Sequence, residues 1–149
     1  MRAVVQRVNF SSVEVDGVIV GTVKKGLNVL LGVGEGDTQK DVEYMVEKIC
    51  GLRIFEDADD KMNLSLLDVG GEMLCISQFT LYGDVRKGKR PSFSSAAKPE
   101  EANLLYESFM EAVKGKGITV QKGTFGAHMI VDIQNDGPVT IMLDSQRNF

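Results

Sequence analysis

Between Met73 and Leu81 the chain carries apolar side chains at both alternating sets of positions: Met73, Leu74, Cys75, Ile76, Phe79 and Leu81. Successive side chains of a strand point to opposite faces, so this run describes a central strand buried on both. The elements that could cover it are readable on either side. Val4, Val5 and Val8, then Val13 and Val15, then Val18-Ile19-Val20 and Leu27 to Val33 read as strands. Asp16-Gly17 and Lys24-Lys25-Gly26 separate them as turns, and Asp16-Gly17 between Val15 and Val18 predicts a tight hairpin. Thr38 with Asp41 three residues on predicts a helix N-terminus, and Val42, Met45, Val46, Ile49 and Cys50 fall on one face before Gly51 ends the helix. A polar loop from Glu56 to Lys61 leads through Leu64 to Leu67 to the Gly70-Gly71 turn. The stretch from Tyr82 to Lys98 is the longest irregular loop, a length that in compact domains is often functional. Pro99 opens a second helix with Ala102, Leu105, Tyr106, Phe109 and Val113 at helical spacing, closed by Gly115 and Gly117. Three strands are expected after it, over 118–121, 128–134 and 139–143. No repeat or linker interrupts the pattern, so residues 1–149 are predicted to form one α+β domain. Its expected form is a mostly antiparallel, barrel-like sheet with two main helices packed on it.

Composition narrows the function classes. At 149 residues, 43% hydrophobic and 26% charged, the chain suits an ordinary globular domain. No apolar run approaches the ~20 residues that span a bilayer, and Arg2 and Arg7 break the N-terminus too early for a signal peptide. No membrane partner and a cytoplasmic location are therefore expected. Cys50 and Cys75 lie far apart in apolar segments and read as buried reduced thiols. The single histidine, His128, excludes a His-rich metal site, and any Ser-His-Asp triad would have to use it. A net charge of −4 argues against a non-specific RNA coat but leaves room for a local basic patch gripping one RNA end.

Four segments carry candidate chemistry, each with a plainer alternative. Ser77-Gln78-Phe79-Thr80 brings polar side chains into a segment that should be interior. A buried polar group without a partner costs about 1–3 kcal/mol, so these groups are bonded internally, reach solvent, or face a cleft. Asn135-Asp136-Gly137-Pro138-Val139-Thr140 reads on composition as a tight turn between two strands. Held rigidly, its carbonyls would offer an ammonium group fixed acceptors without an acidic side chain. Arg86, Lys87, Lys89 and Arg90 form the one dense basic run, either a solvated loop or a phosphate-binding one with Phe93 beside it to stack on a base. Phe125, Gly126 and Met129 suit either a strand connection or a flat apolar pocket for a nucleobase. No P-loop, dinucleotide fingerprint or EF-hand pattern is present, so the expectation is no cofactor and no metal.

Taken together and in order, these segments resemble the D-aminoacyl-tRNA deacylases. Ser77-Gln78-Phe79-Thr80-Leu81 is similar to that family's S-Q-F-T-L signature, and Asn135 to Thr140 matches its N-x-G-P-V-T signature, which carries a Gly-cis-Pro dipeptide. Met1 to Val8, Lys87 to Phe93 and Phe125-Gly126-Ala127 fit as well, and the likeness runs from end to end. The resemblance implies hydrolysis of the ester of a D-aminoacyl-tRNA at its acceptor end, by a homodimer. Gly137-Pro138 of one subunit would enter the pocket of the other. Ser77, Gln78, Phe79 and Thr80 would form the catalytic floor, Phe125, Gly126 and Met129 would hold the terminal adenosine, and Arg7 would brace the Gly-Pro carbonyls.

Thr80 is a conceivable nucleophile, but no base accompanies it in sequence. The favoured expectation is substrate-assisted hydrolysis, with the ribose 2′-hydroxyl positioning or activating water and the Phe79 and Thr80 amides supplying oxyanion donors. A pocket that works by excluding L-side chains is expected to admit glycyl-tRNA as a side substrate. Two rival classes keep the same features: a non-catalytic RNA-end-binding module, and a small-molecule thioesterase or acyltransferase.

Overall fold

The computed structural model describes residues Met1–Phe149. Its organising element is β1 (Arg2–Val15), a 14-residue strand with three antiparallel partners. The Asp16-Gly17 turn, with φ of 49° and 79°, folds β2 (Val18–Val23) back onto the second half of β1. After Lys24-Lys25, β3 (Gly26–Gly32) pairs with the first half, from Val8 back to Arg2. The last strand, β8 (Ile130–Asp144), runs along β1 from Glu14 to Arg2. Because β8 takes one edge of β1 nearly throughout, β2 and β3 share the other in succession.

Helix α1 (Gln39–Gly51) begins with the expected capping box: the Thr38 side chain accepts from the Lys40 N–H, and Asp41 accepts from the Thr38 N–H at 2.8 Å. Its buried residues are the five expected ones. The polar loop expected over Glu56 to Lys61 connects a short hairpin of β4 (Phe55–Glu56) and β5 (Met62–Leu64). The central strand β6 (Glu72–Ser77) is parallel to β3 and to β7 (Val120–Lys122). Helix α2 (Pro99–Gly115) crosses from one to the other with proline in its first turn. The sheet is thus antiparallel around β1 but parallel at β3–β6 and β6–β7, which makes it mixed.

Both helices cover one face of the sheet, where 25 buried residues including Val29, Met73, Tyr106 and Phe109 form the main core. A smaller cluster of Val8, Val13, Val23, Leu74 and Ile76 fills the opposite face as the sheet curls over itself. The curl brings β2 against β7 closely enough that a Cβ on Gly21 would lie 2.7 Å from the Lys122 carbonyl, so the barrel is nearly closed. From Met73 to Ile76 the doubly apolar segment is therefore covered on both faces as expected. Cys50 and Cys75 are buried free thiols, and burial pushes Cys50 up to about 11. No helix is long and apolar enough to cross a membrane.

Two expectations are corrected. Strand β6 ends at Ser77 rather than at Leu81, and Phe79–Tyr82 form a 3₁₀ turn. The segment expected to be two strands joined by a tight Asn-Asp-Gly-Pro turn is one 15-residue strand. On β8 the register steps from Asn135 to Thr140 while on β1 it steps only from Val8 to Gln6. Asp136–Val139 are thus an outward bulge opposite Arg7.

Asp41 also ties the start of α1 to the end of β8, accepting from the Ser145 hydroxyl at 2.7 Å and the Gln146 amide at 2.9 Å. Burial by itself would raise its pKa. The hydrogen bonds from Thr38 and Ser145, with the positive Met1 amine, outweigh it and hold the carboxyl below its ordinary value. A depressed carboxylate contributes stability that is present above its unfolded pKa of about 3.9 and lost as pH falls through the lower folded value. Thermal unfolding followed from pH 5 to pH 2.5 should therefore show a shallower acid limb for Asp41→Asn than for the wild-type chain, and parallel limbs would exclude Asp41 as a source of acid sensitivity.

Candidate active site

The polar run after Ile76 has a simple fate. Once β6 ends, the Gln78 N–H still donates to the Leu31 carbonyl at 2.8 Å, which keeps the chain against β3 while it turns away. Ser77, Gln78 and Phe79 then line a cavity of about 440 Å³. Leu31 and Val33 of β3 and its end form one wall, and Ala96, Ala97 and Pro99 lead into α2, which adds Ala102 and Tyr106. Phe125, Gly126, Ala127 and Met129 close the opposite side. The segment thus faces a cleft, and the polar residues are its edge within a largely apolar lining. Tyr106, buried, donates to the Cys75 carbonyl at 2.8 Å and packs on Phe125 at 6.0 Å between ring centroids.

The small alanines, Leu31, Val33 and Tyr106 carry no sequence signal beyond being apolar, and sequence reasoning misses them as cavity residues. Phe93, expected beside the basic loop as a base-stacking residue, stands at the cavity lip. Its ring packs edge-on against Phe79, 5.1 Å between centroids.

Thr80 lies next to the cavity but does not line it. Its hydroxyl accepts a hydrogen bond from the Gln78 side-chain amide, and no carboxylate, imidazole or amine bonds to it. The sole histidine, His128, is exposed. A hydroxyl whose only bonded neighbour is an amide has no base to take its proton. The backbone N–H groups of Phe79 and Thr80 open the 3₁₀ turn and have no backbone acceptor. No cluster of three or more His, Cys, Asp or Glu side chains gathers to hold a metal ion.

The Gly137-Pro138 peptide is cis, and both residues are exposed and lie outside the cavity of their own chain. Gly137 has φ of 137°, where a side chain is strained, and a Cβ there would press to 2.7 Å on the Val139 side chain. Two residues hold the bulge. Arg7, 6% exposed, donates through Nε to the Asp136 carbonyl at 3.1 Å and through Nη1 to the Ile54 carbonyl at 2.7 Å. Asn135 donates from Nδ2 to the carbonyls of Arg7 and Val139, at 3.0 and 2.9 Å, stitching the base of the bulge to β1. Its brace role is invisible in sequence, where Asn before Asp-Gly-Pro signals a turn.

The basic run is the tip of a small arm. Asp84 and Ser92 exchange both backbone hydrogen bonds, at 2.8 and 2.9 Å, and pinch its base. Arg86, itself exposed, pairs with Asp84, which accepts from its backbone, Nε and Nη2 and is held at about 2 by those bonds. Lys87, Lys89 and Arg90 are exposed and form no ion pair within the chain.

The geometry thus gathers Ser77, Gln78 and Phe79 with Phe125, Gly126 and Met129 in one cavity, with Thr80 beside it and Gly137-Pro138 on a braced projection elsewhere. The D-Tyr-tRNA(Tyr) deacylase family profile matches residues 4–144. The chain belongs to that family. It is 65% identical to the D-aminoacyl-tRNA deacylase of Clostridium tetani (strain Massachusetts / E88) and 62% identical to that of Clostridioides difficile (strain 630), in each case over 149 residues and 100% of both chains. The solved structure of a c-Myc DNA unwinding element binding protein superposes with a TM-score of 0.91 at 47% identity, covering 97% of this chain and 98% of that one. The deacylase is accordingly a hydrolase, and the ester of a D-aminoacyl-tRNA is what it cleaves. Of the rival readings, a module without turnover and a thioesterase indifferent to tRNA both give way to this one.

Arg7 answers for the shape of the projection. Replacing it by methionine keeps the apolar stem but leaves two carbonyls without a donor, so Arg7→Met should lower the unfolding free energy by about 2–4 kcal/mol in urea titration. Glu56, 52% exposed and 3.8 Å from Arg7, contributes little, and Glu56→Gln should cost less than about 1 kcal/mol. Equal losses in the two variants would mean that the carbonyl bonds are not what Arg7 contributes.

Proposed function

We propose that the deacylase works in the cytoplasm as a homodimer of one-domain subunits, in which the Gly137-Pro138 projection of each subunit completes the cavity of the other. The observation that carries this reading is the mismatch between the two halves of the site. The projection is braced by Arg7 and Asn135, yet it is exposed and takes no part in its own chain's cavity. Rigidity at an exposed backbone segment costs conformational entropy, and a second subunit's substrate gives it a use.

In the completed pocket, Phe125, Gly126 and Met129 hold the terminal adenosine, and the Gly137 and Pro138 carbonyls accept from the substrate's ammonium group. The side chain then has one direction left to it. The L-side chain meets the Gly-Pro wall, whereas the D-side chain points away, so chirality is read by exclusion and not by contacts to the side chain. Ser77 and Gln78 shape the floor. The free Phe79 and Thr80 amides donate to the oxyanion as it forms, and the ribose 2′-hydroxyl orients water. The lone amide contact of the Thr80 hydroxyl supports this over a covalent route. Lys87, Lys89 and Arg90 contact acceptor-stem phosphates, with the charge of Arg86 paired to Asp84.

Exclusion has a corollary. Glycine has no side chain to exclude, and one missing methylene changes binding by only ~1–3 kcal/mol. Glycyl-tRNA should be hydrolysed as a side substrate while L-alanyl-tRNA is spared, in a deacylation time course that includes D-alanyl-tRNA at equal enzyme concentration. Cleavage of D-alanyl-tRNA with glycyl-tRNA left intact would mean that the pocket reads the D-side chain directly. The loop makes a separate forecast: replacing both Lys87 and Lys89 by alanine should reduce the slope of log affinity against log salt by about 1–2. An unchanged slope would assign the loop to solvent or to the subunit interface.

A further inference from the structure

Arg2 lies outside the cavity, but it reaches the segment that forms the cavity's reacting edge. Its Nη1 donates to the Leu81 carbonyl at 3.1 Å, and its guanidinium carbon stands 4.6 Å from the centroid of the Tyr82 ring. Both are residues of the 3₁₀ turn that carries Phe79 and Thr80. On its other side Nε, buried and without a hydrogen-bond partner, faces the Asp144 carboxylate at 3.8 Å. That carboxylate is 2% exposed and itself fixed, accepting from the Gln146 N–H at 2.8 Å and the Asn148 amide at 2.9 Å. The guanidinium is therefore anchored from behind and spends its forward contacts on the turn.

The turn is also packed closely against β3. Gly32 is the cross-strand partner of Arg2, and a Cβ there would lie 2.8 Å from the Gln78 carbonyl and 3.3 Å from the Leu81 side chain. The turn thus packs on bare backbone at Gly32 and is held by the Arg2 cation. Only a planar fork that donates, stacks and pairs at once fits these three contacts, and a lysine ammonium reproduces the donation alone.

We propose that Arg2 is a positioning residue of the deacylation reaction, setting through the Leu81 carbonyl and the Tyr82 ring the angle at which Phe79 and Thr80 meet the ester. The role rests on the reading that this turn is the reacting edge of the pocket. Loss of a positioning contact lowers the rate of the bound complex and leaves substrate binding alone.

The test is steady-state cleavage of D-tyrosyl-tRNA by Arg2→Met, Arg2→Lys and Thr80→Ala, with thermal unfolding of each. Arg2→Met should lower kcat about tenfold with KM within twofold of wild type, and Arg2→Lys should recover to within threefold, because it still donates to the Leu81 carbonyl. An unchanged kcat in Arg2→Met, a rise in KM at constant kcat, or an equal loss in both Arg2 variants overturns the role. Should Arg2→Met not fold, Asp144→Asn removes the anchoring charge while keeping the shape, and the same fall in kcat at constant KM is expected; an unchanged kcat overturns the role. Thr80→Ala separates the two readings. Retained activity keeps the backbone amides as the groups being positioned, and a dead but folded variant transfers that part to the hydroxyl without touching the result for Arg2.

Discussion

β1 must pair with β8 along almost its whole length, although β8 has more residues to place than β1 has positions to receive them. The excess cannot be spread along the ladder, because a one-residue slip would turn every later side chain to the wrong face of the sheet. It is collected instead at two adjacent points, Asp136–Val139 opposite Arg7 and Asn9 of β1 between Val8 and Phe10, and the pairing on both sides of them is regular. Met142 and Ile141 stay aligned with Val4 and Val5 above them, and Ile133 and Val131 with Ser11 and Val13 below. The projection is thus a by-product of correct pairing elsewhere, and that pairing together with Arg7 and Asn135 holds an exposed glycine and proline in one place.

A second irregularity creates the cavity. β6 could have continued along β3, but Gly32 has no side chain and Gln78 folds over it, so the chain leaves the ladder one residue after Ser77. It then enters a tight turn whose opening N–H groups are left without backbone acceptors. In a strand those donors would be consumed. The end of regular structure is therefore the origin of free donors at the edge of a largely apolar cavity.

Legibility in the sequence tracks the range of the interaction. The Asp16-Gly17 hairpin, the Thr38–Asp41 capping box and the proline start of α2 are set by neighbours a few residues apart, and each is where the sequence places it. The parallel pairing of β6 with β3 and β7 depends on crossovers by the helices, and no local pattern distinguishes it from antiparallel pairing. Asn135-Asp136-Gly137-Pro138 misleads for the same reason: its residues are those of a turn, and only pairing with β1 some 130 positions away reveals a bulge. At the site, the segments Ser77–Phe79 and Phe125–Met129 are legible through family resemblance. Ala96, Ala97, Ala102 and Tyr106 are not, since a cavity wall made of ordinary core residues looks like core.

The two arginines of β1 show how one regular strand governs both irregular segments. Arg2 and Arg7 are five positions apart, so they leave the sheet on opposite faces. Each reaches past its own strand to donate to a carbonyl that has left the regular ladder, Leu81 in the 3₁₀ turn and Asp136 in the bulge. Regular pairing fixes the Cα positions of both arginines, and a guanidinium has enough donors to engage several acceptors at once without losing its plane. Precision is in this way borrowed from the sheet and delivered to backbone that has no ladder of its own. A lysine at either place would deliver charge with a freely turning tip, and an apolar residue would leave the carbonyls bare. The side chains that matter most for shape are therefore those that touch neither the cavity nor one another.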